Sequence, residues 1–379
     1  MQVYLDNAAT TPILSEVVDA MCENLKNTFG NPSSTHSFGR KSKSVIELSR
    51  RSIASILHCQ PSEIIFTSGG TEADNMVLHL ACDLLKVKQI ISSPIEHHAV
   101  EHTALDVAKK NGILINWVKV DNKGNVDLSH LEELLQKEPS TLVSLMHANN
   151  EIGTLLPIQK VAEICKKYKA YFHSDTVQTM GHYRFDLQSI PIDFVTCSAH
   201  KIHGPKGIGF IYINKRIGHY SFIQGGSQER GFRSGTENLA GIIGLKTCFV
   251  LANKEVEQHQ KDIQELKSYF IDGLNKNVPN VYFNGEISPE KSLYTVLNCS
   301  FPALENPTML QMLLDLKGIA CSGGSACSSG ANTGSHVLKA IKADLNRANI
   351  RFSFSRFTTK KEIDYTIQTL KEIFENIEK

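Results

Sequence analysis

The sequence predicts an α/β protein in which a large, mainly parallel sheet of seven strands is joined to a smaller α+β domain. Two observations predict this fold class. Apolar runs of strand length alternate with helical patterns over the first 215 residues, and the pattern changes to a long polar helical stretch near residue 252. Strands that alternate with helices of this length imply right-handed crossovers and parallel pairing.

Seven apolar runs are the predicted strands of the large sheet. They cover residues 63–67, 89–92, 113–118, 142–147, 170–174, 193–197 and 209–213. Helical patterns lie between several of them, at residues 38–57, 72–85, 99–111, 128–136 and 158–168. Because parallel sheets bind ligands in the loops that follow the carboxyl ends of their strands, we expect functional residues directly after these runs.

A second region begins near residue 253. A polar helical pattern over residues 253–274 precedes the turn-rich segment VPNVYFNGEISPE. A strand pattern at residues 350–354 and a closing helix from residue 360 to about 377 follow. We therefore predict a large domain over residues 14–252 and a small domain built from residues 1–13 and 253–379.

Composition excludes several classes of protein. The chain of 379 residues carries 40 Lys and Arg against 39 Asp and Glu, and 41% of it is hydrophobic. Such values do not fit a collagen-like, coiled-coil or mainly disordered chain, and the net charge of +1 gives no support to a nucleic-acid or membrane-surface partner. Nine scattered cysteines and an N-terminus, MQVYLDNAATTP, without signal-peptide features lead us to expect a reducing, cytoplasmic setting.

The segment TSGGTE, residues 67–72, lies between a predicted strand and a predicted helix. Its two glycines let the backbone approach a ligand closely, and the N–H groups that follow can bind a phosphate at the helix N-terminus. The same residues also suit a tight turn in which Thr71 is an ordinary N-cap. Taken alone, the segment leaves both interpretations open.

Two further segments follow predicted strands and each contributes one ionisable residue. Lys201 ends the run SAHK, where a partly desolvated lysine can act as a Schiff-base nucleophile, although a surface lysine before a turn is the alternative. Asp175 lies in HSDTVQ and can hold a ring nitrogen in its protonated state, or simply cap a helix. With residues 67–72, they supply the contacts that pyridoxal 5'-phosphate (PLP) needs for its phosphate, aldehyde carbon and ring nitrogen.

A cysteine and an arginine in the second region are further candidates. Cys327 lies in CSGGSACSSG, a Gly/Ser-rich stretch in which a thiol is accessible, unless it is an incidental cysteine in a turn. Cys321 precedes it, but no supporting ligand nearby favours a metal site or a disulfide. Arg351 can clamp a carboxylate in a bidentate manner, with a structural salt bridge as the alternative.

The segment EHHAVEH brings three histidines together after a predicted strand. The ring of His97 can stack on a planar cofactor or relay protons there. His98 and His102 have the i, i+4 spacing of metal ligands on a helix face, but no Glu follows the first histidine as a metalloprotease motif requires. We therefore favour a solvated helix start for these two.

Ten motifs together resemble the NifS/IscS-type cysteine desulfurases, which are class-V aminotransferases of PLP fold type I. In the family's order, they are LDNAATTP, GNPSSTHSFGR, FTSGGTEADN, EHHAV, HANNEIGTLLP, HSDTVQ, SAHKIHGPKGIGF, RSGTEN, SGGSACSSG and IRFSFSRFT. They span nearly the whole chain, and their joint occurrence is far more specific than any one of them.

The resemblance implies roles for individual residues. Lys201, Cys327 and His97 match the catalytic positions, with Lys201 as the Schiff-base lysine and Cys327 as the cysteine that receives sulfur. The implied contacts to PLP are Gly70, Thr71, His97, Asn150, Asp175, Gln178, Ser198, His200, Lys201 and Thr236, the last from the second subunit of a homodimer. Asn150 and Arg351 match substrate contacts, and no metal takes part.

The resemblance also implies the reaction and its partners. L-cysteine would give L-alanine and a persulfide on Cys327, which passes to an acceptor protein such as an iron–sulfur scaffold, for iron–sulfur cluster assembly or tRNA thiolation. The alternatives are a related lyase that prefers selenocysteine, a non-catalytic assembly partner and a metal hydrolase built on His98 and His102. Cys321 is an additional thiol that either resolves the persulfide or is buried and inert.

Overall fold

The computed structural model describes residues 1–138, 140–303, 306–323 and 334–377. The strands in these ranges are β1 (Val3–Tyr4), β2 (Ile64–Thr67), β3 (Gln89–Ser92), β4 (Leu114–Trp117), β5 (Thr141–Ser144), β6 (Tyr171–Ser174), β7 (Phe194–Ser198), β8 (Gly209–Ile213), β9 (Tyr282–Asn284), β10 (Val296–Phe301), β11 (Ile319–Ala320) and β12 (Ala348–Ser353). The helices are α1 (Ser15–Asn27), α2 (Ser37–Ile56), α3 (Gly70–Asp83), α4 (His98–Asn111), α5 (Leu128–Lys137), α6 (Ile158–Lys167), α7 (Leu239–Lys254), α8 (Val256–Asn277), α9 (Met309–Leu316), α10 (His336–Ala340) and α11 (Lys360–Ile377).

The seven predicted strands form one sheet in the order β2-β8-β7-β6-β5-β3-β4, which confirms the predicted fold class. Pairing is parallel except along β8, which runs antiparallel to both of its neighbours. Only residues 199–208 separate β7 from β8. This connection is too short for the crossover that a parallel pair requires, so the chain reverses direction.

Helices cover both faces of the large sheet, and consecutive strand residues face opposite layers. Phe66 and Ile91 pack with α2 and α7, whereas Ile65 and Ile90 pack with α3 and α4. Because both faces are buried, the strands are continuous apolar runs instead of alternating patterns. The predicted strand at residues 142–147 ends earlier, at Ser144, since the N–H of Met146 donates to the Glu96 carboxylate and not to a neighbouring strand.

A smaller antiparallel sheet, in the order β12-β10-β9, lies beside the large one, and β1 pairs in parallel with β11. Val3 and Leu5 share an apolar cluster with Phe270, Phe301 and Phe352. The first residues of the chain therefore pack with residues far along the sequence. This packing supports our proposal that residues 1–13 and 253–379 form one domain beside residues 14–252.

The helix that the sequence predicts at residues 253–274 corresponds to α8, which begins and ends three residues later. Two helices, α7 and α8, meet there, and Glu255 between them has φ −122° and ψ 21°. The change from the apolar sequence of α7 to the polar sequence of α8 is easy to see, but it does not mark the exact residue at which one helix ends and the next begins. In the part of the chain that the structure describes, no helix combines the length and apolar character needed to cross a bilayer.

Candidate active site

A cavity of about 270 Å³ lies where the parallel strands of the large sheet end. Ten of the twelve residues that the resemblance singles out line it. They are Gly70, Thr71, His97, Asn150, Asp175, Gln178, Ser198, His200, Lys201 and Arg351. They come from loops after five different strands and from β12 of the small sheet, so the fold assembles the cavity from distant parts of the chain.

Lys201 lies in a single helical turn directly after β7, and its side chain is half-buried. Its Nζ donates hydrogen bonds to the backbone carbonyls of Ala8 and Ala9, at 2.5 and 2.8 Å. Gln178 also donates to the Ala8 carbonyl, at 3.1 Å. The N-terminal segment of the chain therefore forms one wall of the cavity and orients the lysine.

Asp175 follows β6 and is held in place by several hydrogen bonds. Its carboxylate accepts from the N–H of Val177 at 2.9 Å, and its backbone carbonyl accepts from the N–H of His147 at 2.9 Å. The hydroxyl of Thr196 lies 3.4 Å from the same carboxylate oxygen. Asp175 is therefore a buried carboxylate in a fixed orientation at the end of its strand.

A second carboxyl group, that of Asp74 on α3, lines the cavity near Asp175. Burial and the negative charge of Asp175 raise the pKa of Asp74 well above its ordinary value. A buried carboxyl group beside a second carboxylate is protonated more easily, because two neighbouring negative charges repel each other. Burial and repulsion therefore favour the protonated form of Asp74 in this pair.

His173 and Ser144 lie behind Asp74 and are fully buried. His173 Nε2 is 3.4 Å from an Asp74 carboxyl oxygen, and His173 Nδ1 is 2.8 Å from the Ser144 hydroxyl. Burial lowers the pKa of His173 to about 3, so the ring is neutral. Sequence reasoning did not identify Asp74. Its position four residues after Gly70, on the same helix face, is the signal that could have indicated it.

Backbone geometry at the start of α3 allows close approach of a ligand. Gly69 has φ +157°, a conformation that favours glycine. A Cβ on Gly70 would lie 2.6 Å from a methyl group of Val177, so this position also requires glycine. Gly70 and Thr71 at the N-terminus of α3 line the same cavity as Ser198 and His200. This donor set fits a phosphate group.

His97 and His200 are the two imidazoles in the cavity. His97 is the N-cap of α4, and its Nδ1 accepts from the N–H of Ala99 at 3.1 Å. Burial lowers the pKa of His97. Burial and the charge of Lys201 lower the pKa of His200 to about 4. Both rings are therefore neutral at physiological pH, and the neutral ring of His97 suits stacking against a planar group.

Arg351 reaches the cavity from β12 and is 1% exposed. Its guanidinium donates to the Asp6 carboxylate at 2.7 Å, the Ser322 hydroxyl at 3.2 Å and the Asn150 carbonyl at 2.9 Å. Its Nε–H has no hydrogen-bond partner among the described residues. A buried donor without a partner is rare, and at the wall of a cavity it favours a ligand.

The remaining predicted site residues lie elsewhere. Thr236 lines a separate cavity of about 150 Å³ together with Ser68 and Gly207. Cys327 lies outside the described residues. Cys321 belongs to the apolar cluster of the small sheet, and burial raises the pKa of its thiol to about 12. Of the two interpretations of Cys321, the structure favours the buried and inert thiol.

Comparisons with known proteins agree with this geometry. The family model described as aminotransferase class-V matches residues 3–366. The cysteine desulfurase IscS of Dictyoglomus turgidum is 44% identical over 380 residues, an alignment that covers 99% of this chain and 95% of that protein. A solved structure titled NifS-like protein has a TM-score of 0.91 and 36% identity, with 99% of this chain and all of that chain covered.

A third relative bears on the ligand. The structure titled SspA in complex with cysteine has a TM-score of 0.79 and 30% identity, and it covers 94% of this chain and all of that one. The fold and the cavity define a class-V aminotransferase-type enzyme. The chain belongs to that family and, within it, to the group of IscS-type cysteine desulfurases.

Proposed function

We propose that this protein uses PLP to remove the sulfur of L-cysteine, giving L-alanine and a persulfide on Cys327. The observation that carries the proposal is the presence of Lys201, Asp175 and Arg351 in one cavity of about 270 Å³. An amine, an anchored carboxylate and a buried guanidinium match the three charged or reactive groups of a complex between PLP and an amino acid.

The residues of the cavity fit the cofactor along its whole length. The start of α3 with Gly70 and Thr71, together with Ser198 and His200, would hold the phosphate. Asp175 would hold the ring nitrogen, Gln178 would bind the ring hydroxyl, and the His97 ring would stack on the cofactor. When bound, PLP supplies an aldehyde that captures the substrate nitrogen and a ring that takes up electrons released at Cα.

The charge distribution between Asp74 and Asp175 supports this assignment. A proton on Asp74 leaves Asp175 negatively charged, and a negative carboxylate keeps a proton on the ring nitrogen. A protonated ring withdraws electrons more strongly than a neutral one. In this proposal Asp74 is a positioning residue, because it acts through Asp175 and not on the substrate.

Lys201 and Arg351 would act on the substrate from opposite sides of the cavity. The Lys201 amine takes the α-proton of the amino acid, and the carbonyls of Ala8 and Ala9 keep that amine oriented toward the cavity. Arg351 would bind the substrate carboxylate, either through its Nε–H or by giving up its ion pair with Asp6. Asn150, whose carbonyl accepts a hydrogen bond from Arg351, lies beside this contact.

The sulfur transfer step depends on Cys327, whose role is supported by the motif SGGSACSSG. Its thiolate attacks the substrate sulfur, and the S–S bond forms as the C–S bond breaks. The electron pair of the broken bond stays with the carbon fragment, which takes up one proton at Cβ, regains the α-proton from Lys201 at Cα and leaves as L-alanine. The solved relative titled as a complex with cysteine supports the substrate class.

The deciding experiment measures alanine and sulfide released from L-cysteine in the presence of PLP and a reductant. We expect equal amounts of both products from the wild type, no turnover from Cys327→Ala and full turnover from Cys22→Ala, which removes an exposed thiol on α1. No alanine from PLP-loaded wild type would contradict the proposal. A strong preference for selenocysteine in the same assay would favour the selenocysteine-specific alternative.

Thr236 supports a homodimer in which each chain completes its partner's site. It does not line the cavity of its own chain that contains Lys201. Mixing two inactive or weakened variants tests this arrangement. A dimer of Lys201→Ala and Thr236→Ala chains would contain one site with both native residues, so activity should return to about half of one wild-type dimer. No recovery would contradict the exchange of Thr236 between subunits.

The pathway that receives the sulfur is also part of the proposal. An acceptor protein such as an iron–sulfur scaffold would take the persulfide sulfur of Cys327, for cluster assembly or tRNA thiolation. Transfer of ³⁵S from labelled cysteine to a purified scaffold protein would measure it, with Cys327→Ala as the negative control.

A further inference from the structure

Three histidines surround one carboxylate outside the cofactor cavity. His98, Glu101 and His102 lie on one face of α4, and His336 begins α10. The nearest nitrogens of the three rings lie 3.0, 4.0 and 3.9 Å from the same oxygen, Oε2 of Glu101, in the order His98, His102 and His336. Helix spacing brings three of the four together, and only the tertiary fold adds His336.

The rings also contact one another. The centroids of His98 and His336 are 4.4 Å apart, and those of His98 and His102 are 4.6 Å apart. The side chains of His98, Glu101 and His336 are 30%, 24% and 23% exposed, whereas that of His102 is 69% exposed. The first three therefore form a partly enclosed set that solvent can still reach, and His102 lies at its open side.

We propose that His98, Glu101 and His336 bind a divalent transition-metal ion of the zinc type. Their ligand atoms all lie within 4.8 Å of one another. A tetrahedral zinc site with bonds of about 2.1 Å places its ligand atoms about 3.4 Å apart, so small side-chain movements would close this set around an ion. Two imidazoles and one carboxylate leave a fourth position for water or for His102.

The donor set selects the class of metal. Imidazole nitrogen suits Zn²⁺, Co²⁺, Ni²⁺ and Cu²⁺, whereas Ca²⁺ and Mg²⁺ require mostly oxygen ligands. The site differs from a metalloprotease centre, because its ligands on α4 are His98 and Glu101 and not two histidines with a general-base Glu after the first. It is also separate from the cofactor cavity, whose lining includes His97 but none of these three residues.

The position of the site indicates what the ion would do. His336 Nε2 now donates to the Glu96 carbonyl at 2.8 Å, directly before His97. Metal binding would replace that hydrogen bond with coordination to α4. The ion would then cross-link α4 to α10, nine residues after Cys327 in the chain. We therefore expect bound metal to stabilise the folded protein.

Cobalt distinguishes this site from the cysteine thiols. PLP-loaded protein is freed of metal with a chelator and titrated with CoCl₂. The visible absorption of Co²⁺ measures binding during the titration, and the unfolding temperature is measured afterwards. We expect one Co²⁺ per chain, d–d absorption without a sulfur-to-metal charge-transfer band, and a higher unfolding temperature. His336→Gln and Glu101→Gln should each weaken binding at least about tenfold.

His58→Gln is the matched control, since His58 is an exposed histidine 3.4 Å from the Asp186 carboxylate, and no third ligand group adjoins this pair among the described residues. It should leave Co²⁺ binding unchanged. His98→Gln provides an independent test if either first variant loses its circular dichroism or its bound cofactor. Absence of stoichiometric binding would overturn the proposal, and so would a charge-transfer band that persists in the His336 and His98 variants.

Discussion

The two sides of the cofactor cavity bury opposite kinds of charge. The large-sheet side buries the carboxyl groups of Asp74, Glu96 and Asp175 beneath the strand ends. The small-sheet side buries the guanidinium of Arg351 and, further from the cavity, the amine of Lys267. Buried carboxyl groups on the large-sheet side and a buried guanidinium on the small-sheet side suit a ligand that has a cationic ring at one end and a carboxylate at the other.

Each side of the cavity reduces the unfavourable free energy of its buried charge by a different arrangement. On the acidic side, the raised pKa of Asp74 removes one negative charge beside Asp175. On the basic side, Arg351 is paired with Asp6, and burial lowers the pKa of Lys267 to about 7. Each side therefore offsets buried charge by a local arrangement, a protonated neighbour on the acidic side and an ion pair on the basic side.

The largest effect is expected from Lys201, the proposed reactive amine on the large-sheet side. Lys201→Ala should lower alanine formation from L-cysteine by at least about a thousandfold, because the amine that moves the α-proton is lost. The absorption band of the Schiff base between protein and PLP should disappear as well. Lys206→Ala, which removes an exposed lysine five residues later, should change neither. Retention of a tenth of the activity in Lys201→Ala would refute this assignment.

The two carboxyl groups of the acidic side should differ sharply when each is neutralised. Asp175→Asn removes the negative charge and should lower kcat by about a hundredfold to a thousandfold. Asp74→Asn replaces one neutral group by another of the same shape, so kcat should change by less than about threefold. Steady-state assays and the spectrum of the bound cofactor measure both. A larger loss in Asp74→Asn than in Asp175→Asn would place the charge on Asp74 and reverse our assignment, and equal losses would mean that neither carboxyl group is neutral alone.

On the basic side, Arg351→Lys keeps the charge but removes the planar set of donors. KM for L-cysteine should rise about tenfold to a hundredfold, because one charge-assisted hydrogen bond contributes about 1.5–3 kcal/mol. The amount of bound PLP should not change. Arg347→Lys is the control, since Arg347 bonds to Ser300 and lies outside the cavity lining. An unchanged KM in Arg351→Lys would assign the substrate carboxylate to another group.

Sequence reasoning was most successful where function and fold impose the same local pattern. Lys201 and Asp175 follow apolar runs that fix strand ends, so their meeting at one sheet edge could be predicted from strand order alone. Their roles in PLP chemistry came from the family resemblance. The salt bridge between Arg351 and Asp6 joins residues 345 positions apart, and no local pattern carries such information.

The same limit explains what was missed. Asp74 sits inside an ordinary amphipathic helix, and only tertiary packing makes it a partner of Asp175. His336 lies in a turn of helix far from α4 in sequence, so the i, i+4 pair of His98 and His102 looked like a solvated helix start. The start of α8 was predicted three residues too early, because helix propensity continues through Glu255.

Lys267 tests the basic side through stability, since it lies away from the cavity. Its Nζ donates to the Ser292 hydroxyl and the Leu293 carbonyl, and burial lowers its pKa to about 7. The unfolded chain keeps the ordinary lysine pKa, so between pH 7 and 10 it binds a proton that the folded chain lacks. The contribution of Lys267 to the free energy of unfolding therefore rises with pH over that range and is constant below it.

Urea unfolding at pH 8.0 and 9.0 measures this effect. The wild type should gain about 1 kcal/mol in the free energy of unfolding relative to Lys267→Met over that interval. Lys276→Met, on the exposed face of the same helix, should follow the wild type. If wild type and Lys267→Met show the same pH dependence, the buried lysine is charged when folded and the basic side tolerates more charge than we infer.

The smallest effect is expected at Cys321, the thiol nearest in sequence to the proposed persulfide carrier. Burial and the nearby carboxylates of Asp6 and Asp315 raise its pKa to about 12, so almost no thiolate forms at neutral pH. Cys321→Ser should change alanine formation by less than about twofold, whereas Cys327→Ser should abolish it. Mass spectrometry of the protein after one turnover should find the extra sulfur on Cys327 alone. Two results together would contradict this expectation: a tenfold loss of activity in both Cys321→Ser and Cys321→Ala, and sulfur found on Cys321 in the wild type. The small-sheet side would then hold a reactive thiol in addition to its buried charge.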